Sequence, residues 1–239
     1  MLTLIAALLL VSVHLFAGKL RFLEGIPRSR WLSAAGGVSV AYVFMHLLPE
    51  LDRGQEVFRR LGVLRFMESH AYLIALVGLI TFYGLERLAK SSRHAQRSAG
   101  AADATSPQVF WLHMASFALY NGLVGYLLVH REQPGVISLV LFTVAMALHF
   151  VVTDFGLRED HKAAYTRVGR WILAAAIVAG WALGRATVIS DLALVVLVAF
   201  LAGGVILNVL KEELPEERRS RFSAFLLGAG AYAVLLLAI

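Results

Sequence analysis

The residues of this chain that could do chemistry are few, and they sit inside apolar runs. His149 and Asp154 stand in the run 136–157 (VISLVLFTVAMALHFVVTDFGL), and Asn121 stands in 109–129. An ionisable group inside a membrane span costs about 2.5–3.5 kcal/mol on insertion scales and is a functional candidate by default. Imidazole and carboxylate together suit zinc, iron or manganese, and side chains at i and i+4 lie on one helix face. His149 has Thr153 at that spacing, and Phe150 has Asp154. Each candidate also has a plain structural role. His149 fits a neutral imidazole bonded to a backbone carbonyl, to Tyr120 or to Thr153. Asp154 fits a carboxylate that reaches the interface or pairs with Arg158, four residues on, and the spacing favours that role.

Further polar residues lie nearer the ends of the apolar runs. His46 and Glu50 share a helix face and suit an outer access site or solvated interface positions. Asn208 and Glu212, one turn apart, suit an exit path or a hydrogen bond across helices. His113 shares a face with Phe117 and Asn121, but its place near a run's end favours solvation. Asp191 beside Ser190 reads as part of a helix N-cap. His14, in the first run, has no marked partner.

Much other chemistry is excluded. With no cysteines, thiolate zinc sites, disulfides and cysteine catalysis are ruled out. There is no His-Glu-x-x-His, Walker loop, Rossmann fingerprint or haem attachment motif. No Gly-x-Ser setting with a buried histidine suggests a serine intramembrane protease. The expectation is therefore no enzyme and no permanently bound cofactor.

The elements that must position these residues are membrane helices. The chain of 239 residues is 59% hydrophobic and 16% charged, against about 45–50% and about 25% in soluble domains. Eight apolar stretches can be marked: 2–17, 31–48, 69–86, 109–129, 136–157, 170–185, 188–210 and 223–239. Each approaches the roughly 20 residues a span needs. The remainder has no room for a soluble catalytic domain, so residues 1–239 read as a single polytopic membrane domain. Of the 22 basic residues, 16 fall in the odd-numbered loops and 6 in the even ones. By the positive-inside rule the odd loops are cytoplasmic. Both termini then lie outside, with the plasma (inner) membrane as the expected location. The net charge of +6 is this sidedness bias rather than a nucleic-acid signal. Residues 91–108 (SSRHAQRSAGAADATSPQ) read as a flexible cytoplasmic linker. In 51–68, Val57, Leu61, Leu64 and Met67 recur at helical spacing opposite Glu56, Arg59 and Arg60, which predicts an interfacial helix on the outer leaflet.

One internal repeat is visible. The second stretch ends GGVSVAYVFMHLLPELDR (36–53) and the seventh ends GGVILNVLKEELPEERR (203–219). Each has a glycine pair, then about three turns of helix, then Leu-Pro-Glu, where the proline should stop the helix. Five spans separate the copies, so they cross in opposite directions, as in the inverted repeats of secondary transporters.

On these features the chain resembles the ZIP (Zrt/Irt-like) family of divalent-metal transporters. The resemblance rests on eight spans with both termini outside, the ending Val43-Phe44-Met45-His46-Leu47-Leu48-Pro49-Glu50, the loop after the third span, and the ending Glu212-Glu213-Leu214-Pro215-Glu216. It implies an all-α integral membrane protein of eight transmembrane helices with an inverted-repeat architecture. It also implies a midplane metal site on the fourth and fifth spans, where the family has His-Asn-x-x-Asp/Glu-Gly and His/Gln-Glu/Asp-x-Pro-His/Glu. Here those positions read Phe117-Ala118-Leu119-Tyr120-Asn121-Gly122 and His149-Phe150-Val151-Val152-Thr153-Asp154-Phe155-Gly156. Phenylalanine replaces the first ligand of the fourth span, Asn121 replaces the carboxylate, and the proline is gone. Two registers fit the fifth span, one starting at His149 and one at Phe150. In the second, Phe150/Asp154 mirrors Phe117/Asn121. The resemblance implies inward movement of a divalent cation through His149, Asp154 and Asn121. The alternative is a non-transporting relative: a scaffold, sensor or regulatory subunit that has lost the site. The expected partners are the lipid bilayer and a metal ion. Gly228-Ala229-Gly230 would let a helix pack closely, either within the chain or in a homodimer.

Overall fold

The computed structural model describes residues 1–16, 18, 30–61, 69–100, 103–131, 135–213 and 221–237, and all regular structure among them is helical. The helices are α1 (Leu2–Phe16), α2 (Arg30–Tyr42), α3 (Leu48–Leu61), α4 (His70–Ser98), α5 (Pro107–Leu127), α6 (Val136–Ala164), α7 (Arg170–Ala186), α8 (Asp191–Glu213) and α9 (Phe222–Leu237). Single π-helical turns join α2 to α3 (Val43–Leu47) and α6 to α7 (Tyr165–Gly169). Four helical stretches are long and apolar enough to cross a membrane: Ser33–Arg60, His70–Ser98, Val136–Ala186 and Asp191–Lys211. Leu2–Phe16 and Phe222–Leu237 are shorter apolar helices. Large apolar side chains stand exposed on several of them, including Leu8, Leu9, Ile80, Val140, Leu227 and Leu235. In water such a surface would be a liability. In lipid it is the natural exterior of an integral membrane protein.

The helices run further than hydropathy marks them. Pro49 does not stop the second apolar stretch. The π-turn Val43–Leu47 widens the helix just before it, which relieves the clash a proline ring makes with the carbonyl four residues back. The helix then continues to Leu61. The amphipathic stretch is thus helical over Leu48–Leu61; Leu64, Met67 and the second Leu-Pro-Glu (214–216) lie outside the described residues. The flexible reading of 91–108 is corrected over its first half, since α4 continues to Ser98. Leu88, Ala89, Lys90, Ala95, Gln96 and Arg97 are good helix formers whatever their polarity, and Lys90 pairs with Glu86 one turn away. Gly100, at φ +71, takes the left-handed conformation that ends the helix. Ser106 then caps α5 by accepting from the Val109 N–H, with Pro107 in the first turn. The segment after 157, read as a loop, is helical to Ala164. It is broken at Lys162, a non-glycine residue at φ 48, ψ −120.

The chain forms two compact units. The first holds α1, the second half of α4, α5, α6 and α7; the second holds α2, α3, the first half of α4, α8 and α9. In the first unit α5 and α7 cross at backbone distance. A Cβ at Gly180 would run into the Gly122 carbonyl, and one at Gly125 into the Ile177 carbonyl. In the second unit two helix pairs make the same contact in the same register. Gly37 of α2 lies against Phe225 and Ala229 of α9, and Gly228 lies against Ala34. Gly203 of α8 lies against Ala75 and Leu79 of α4, and Gly78 lies against Phe200. One displacement along the chain takes Ala34 to Phe200 and Gly37 to Gly203. A second takes Ala75, Gly78 and Leu79 to Phe225, Gly228 and Ala229.

Candidate functional site

A cluster of bonded polar side chains lies in the core of the first unit, and its centre is His14 of α1. The His14 Nδ1 is 2.8 Å from Asp154 Oδ1 and 3.0 Å from Oδ2, and its Nε2 is 2.7 Å from Asn121 Oδ1. Asn121 Nδ2 donates to the Phe117 carbonyl at 2.8 Å, and the Tyr165 hydroxyl donates to Asp154 Oδ1 at 2.5 Å. His14, Asn121 and Asp154 are only 2%, 1% and 2% exposed. Asp154 is therefore a core carboxylate. It does not reach for the interface, and Arg158, its expected partner, donates to the Gly18 carbonyl. His14, which the sequence left without a partner, holds both sequence candidates at once.

The bonds fix the protons. A carbonyl only accepts, so the Phe117 oxygen turns the Asn121 amide nitrogen towards itself and leaves Oδ1 facing His14. Nε2 must then carry a hydrogen. Nδ1 faces the carboxylate, so one proton lies between His14 and Asp154, and the pair is neutral as a whole. The short Tyr165 bond has the length of a hydroxyl donating to an anion.

Apolar rings surround the pair. Phe150, fully buried, lies with its ring centroid 4.7 Å from that of His14 and 6.1 Å from that of His149. Phe117 packs with Phe110, Met114, Leu157, Tyr165 and Leu173 in a buried cluster. His149 is buried, and its Nε2 is 3.4 Å from the Thr153 hydroxyl. Its ring stands 5.7 Å from that of Tyr120. The cluster thus gathers Asp154 and Asn121, the pair related by the Phe150/Phe117 register, while His149 bonds within its own helix. Among the described residues, no group of three or more His, Asp or Glu side chains is placed to hold a metal ion.

A second buried chain lies beside the first. His113, expected to be solvated, is 2% exposed, and its Nε2 donates to the Leu85 carbonyl at 2.8 Å. Its Nδ1 is 3.1 Å from Nε2 of His161, whose own Nδ1 is 2.5 Å from the Thr105 hydroxyl. Nearby, Arg93 binds both carboxylate oxygens of Asp103, at 2.6 and 2.9 Å, and also reaches Asp160. The Arg93 hydrogen bond holds the Asp103 carboxyl down at about 2.

The remaining candidates belong to the second unit. His46 Nε2 is 3.7 Å from Glu50 Oε2, both half-buried, and His46 sits in the π-turn with its ring stacked on Tyr42. Asn208 is half-buried on α8, and the Glu212 side chain is outside the described residues. Ser190 caps α8 as expected beside Asp191, accepting from the Ala193 N–H at 3.3 Å. Comparison with known protein families, curated proteins and solved structures finds no match to this chain.

Proposed function

We propose that the protein is a ZIP-like multi-pass membrane transporter that moves a divalent cation, zinc, iron or manganese, towards the cytoplasm. In this reading eight spans form an inverted repeat, with both termini outside the plasma (inner) membrane. The observation that carries it is the His14–Asp154–Asn121 cluster: an ionisable pair and an amide gathered from three helices in the core of an apolar bundle, where such groups are costly. A cation would take the place of the shared proton. Imidazole and carboxylate ligands at about 2.0–2.1 Å in tetrahedral geometry stand about 3.3 Å apart, so the pair need open by only about half an ångström. The matching registers of the α2–α9 and α8–α4 contacts support the repeat. So does the allotment of helices: the first three apolar stretches and the last three divide between the two units in the same order. Two separately packed groups are what a rocking mechanism requires.

A second reading has its own support. The polar atoms of the cluster bond one another, and Phe150 packs on both buried imidazoles. A non-transporting relative, a scaffold, sensor or regulatory subunit, would look like this. Uptake of zinc, iron, manganese and cadmium into liposomes separates the two. The transporter reading expects uptake that falls sharply in His14→Ala and Asp154→Ala. Absence of uptake favours the second, and uptake equal in both variants and the parent would show that the cation does not pass through the cluster.

A further inference from the structure

Among the described residues of the first unit, the segment between α6 and α7 joins a strained backbone to the buried pair. Residue 161 is anchored: His161 is 1% exposed and bonded to both Thr105 and His113. Residue 170 is held too, since Arg170 donates to the Leu15 carbonyl at 3.4 Å and begins α7. Between these anchors the chain takes φ +48 at Lys162 and then a π-turn from Tyr165 to Gly169. Gly169 lets the π-turn pack closely on its neighbours: a Cβ there would meet the Tyr165 ring at 2.6 Å and Met114 Sδ at 2.8 Å, so one of those side chains would have to shift. Tyr165 is 3% exposed, and its hydroxyl is the one bond to the His14–Asp154–Asn121 cluster that comes from this segment. A π-turn carries an extra residue in its ring and relaxes to α-helix by passing that residue along. That relaxation turns the side chain at its first position off its present face.

We infer that Tyr165 is a gating residue: the π-turn holds its hydroxyl on Asp154 in the closed state, and release of that turn swings it away and opens the pair to the end of the bundle where α6 meets α7. The inference rests on the transporter reading, in which that end is cytoplasmic and the pair is the cation's station. Its hinge is Lys162 to Gly169, and the His161 bonds keep α6 itself still. His14 and Asn121 stay with Asp154 when the gate opens, so the station keeps its three groups.

The test needs no metal, so its outcome is independent of whether the protein transports. The chain has no cysteine, and a single reporter therefore reads without background. Ala118 packs against the cluster that includes Tyr165, so Ala118→Cys reports the gate. Ala145, 1% exposed on α6, serves as a control through Ala145→Cys. In full-length protein in nanodiscs, Tyr165→Phe should raise the rate at which a charged thiol reagent modifies Ala118→Cys several-fold and leave Ala145→Cys unchanged. Equal rates with and without Tyr165→Phe, or both reporters rising together, overturn the inference. Hydrogen–deuterium exchange of the unsubstituted protein gives a second reading. Residues 162–169 should exchange faster than 150–157 and 171–178, and equal protection across all three overturns it as well.

Discussion

His14 Nδ1 and Asp154 Oδ1 stand 2.8 Å apart, 140 residues apart in the chain, with neither side chain open to solvent. Removing one partner of a buried ion pair strands the other charge and costs about 3–5 kcal/mol, whereas replacing both with apolar residues is often neutral. His14→Leu and Asp154→Leu should each lower the thermal midpoint in detergent markedly, and the double variant should recover most of the loss. Additive losses in the double variant would show that the two residues act independently.

The close helix crossings give a prediction in steric terms. Gly37 and Gly203 each face a backbone carbonyl of a partner helix, so no side-chain movement makes room for a Cβ. Gly37→Val and Gly203→Val should both give aggregated protein by size-exclusion chromatography, to similar degrees. Gly84, on the exposed side of α4, has open space around it. Gly84→Ala should stabilise by about 0.5–1 kcal/mol, the usual gain from filling a helix-interior glycine. A stable Gly203→Val protein would argue against the α4–α8 crossing.

Lys162 offers a stabilising substitution. A non-glycine residue at φ 48, ψ −120 carries about 1–3 kcal/mol of backbone strain, and glycine carries little there. Lys162→Gly should raise the thermal midpoint despite its greater freedom in the unfolded chain. A lower midpoint would mean that the lysine side chain holds the turn.

The sequence made the helical membrane class and two members of the central cluster legible because polar residues are conspicuous inside apolar runs. Asn121 and Asp154 stand out on that ground alone. His14 stands out equally, yet no residue near it in sequence could name its partner. A usable signal is position: His14 and Asp154 each stand three residues before the end of their apolar stretches, 2–17 and 136–157. His113 departs from its expected solvation for the opposite reason. Nearness to a span's end suggests solvation, but the Leu85 carbonyl and His161 take up both of its ring nitrogens there. The helix ends were hard to read because hydropathy marks lipid contact, not helicity. Arg93, Gln96 and Arg97 are polar and helical together, and the two π-turns leave no mark in hydrophobic periodicity.

The tie between Arg93 and Asp103 yields a pH and salt prediction. Arg93 grips the Asp103 carboxylate with two bonds, and this holds its pKa at about 2. An unfolded aspartate titrates near 3.9, so the folded value is the lower one. The sign follows: the tie contributes fully above about pH 4 and is lost as the pH falls towards 2. Asp103 is exposed, so salt screens the pair as well. At neutral pH, Asp103→Asn should mimic the acid state by freeing the turn after Ser98. Trypsin should then cut after Arg97 faster in Asp103→Asn than in the parent. High salt should speed cleavage of the parent and have little effect on the variant. Equal cleavage of the two proteins at low salt would mean that the bonds Thr105 and Ser106 make to Asp160 and Ser92 hold the segment without the ion pair.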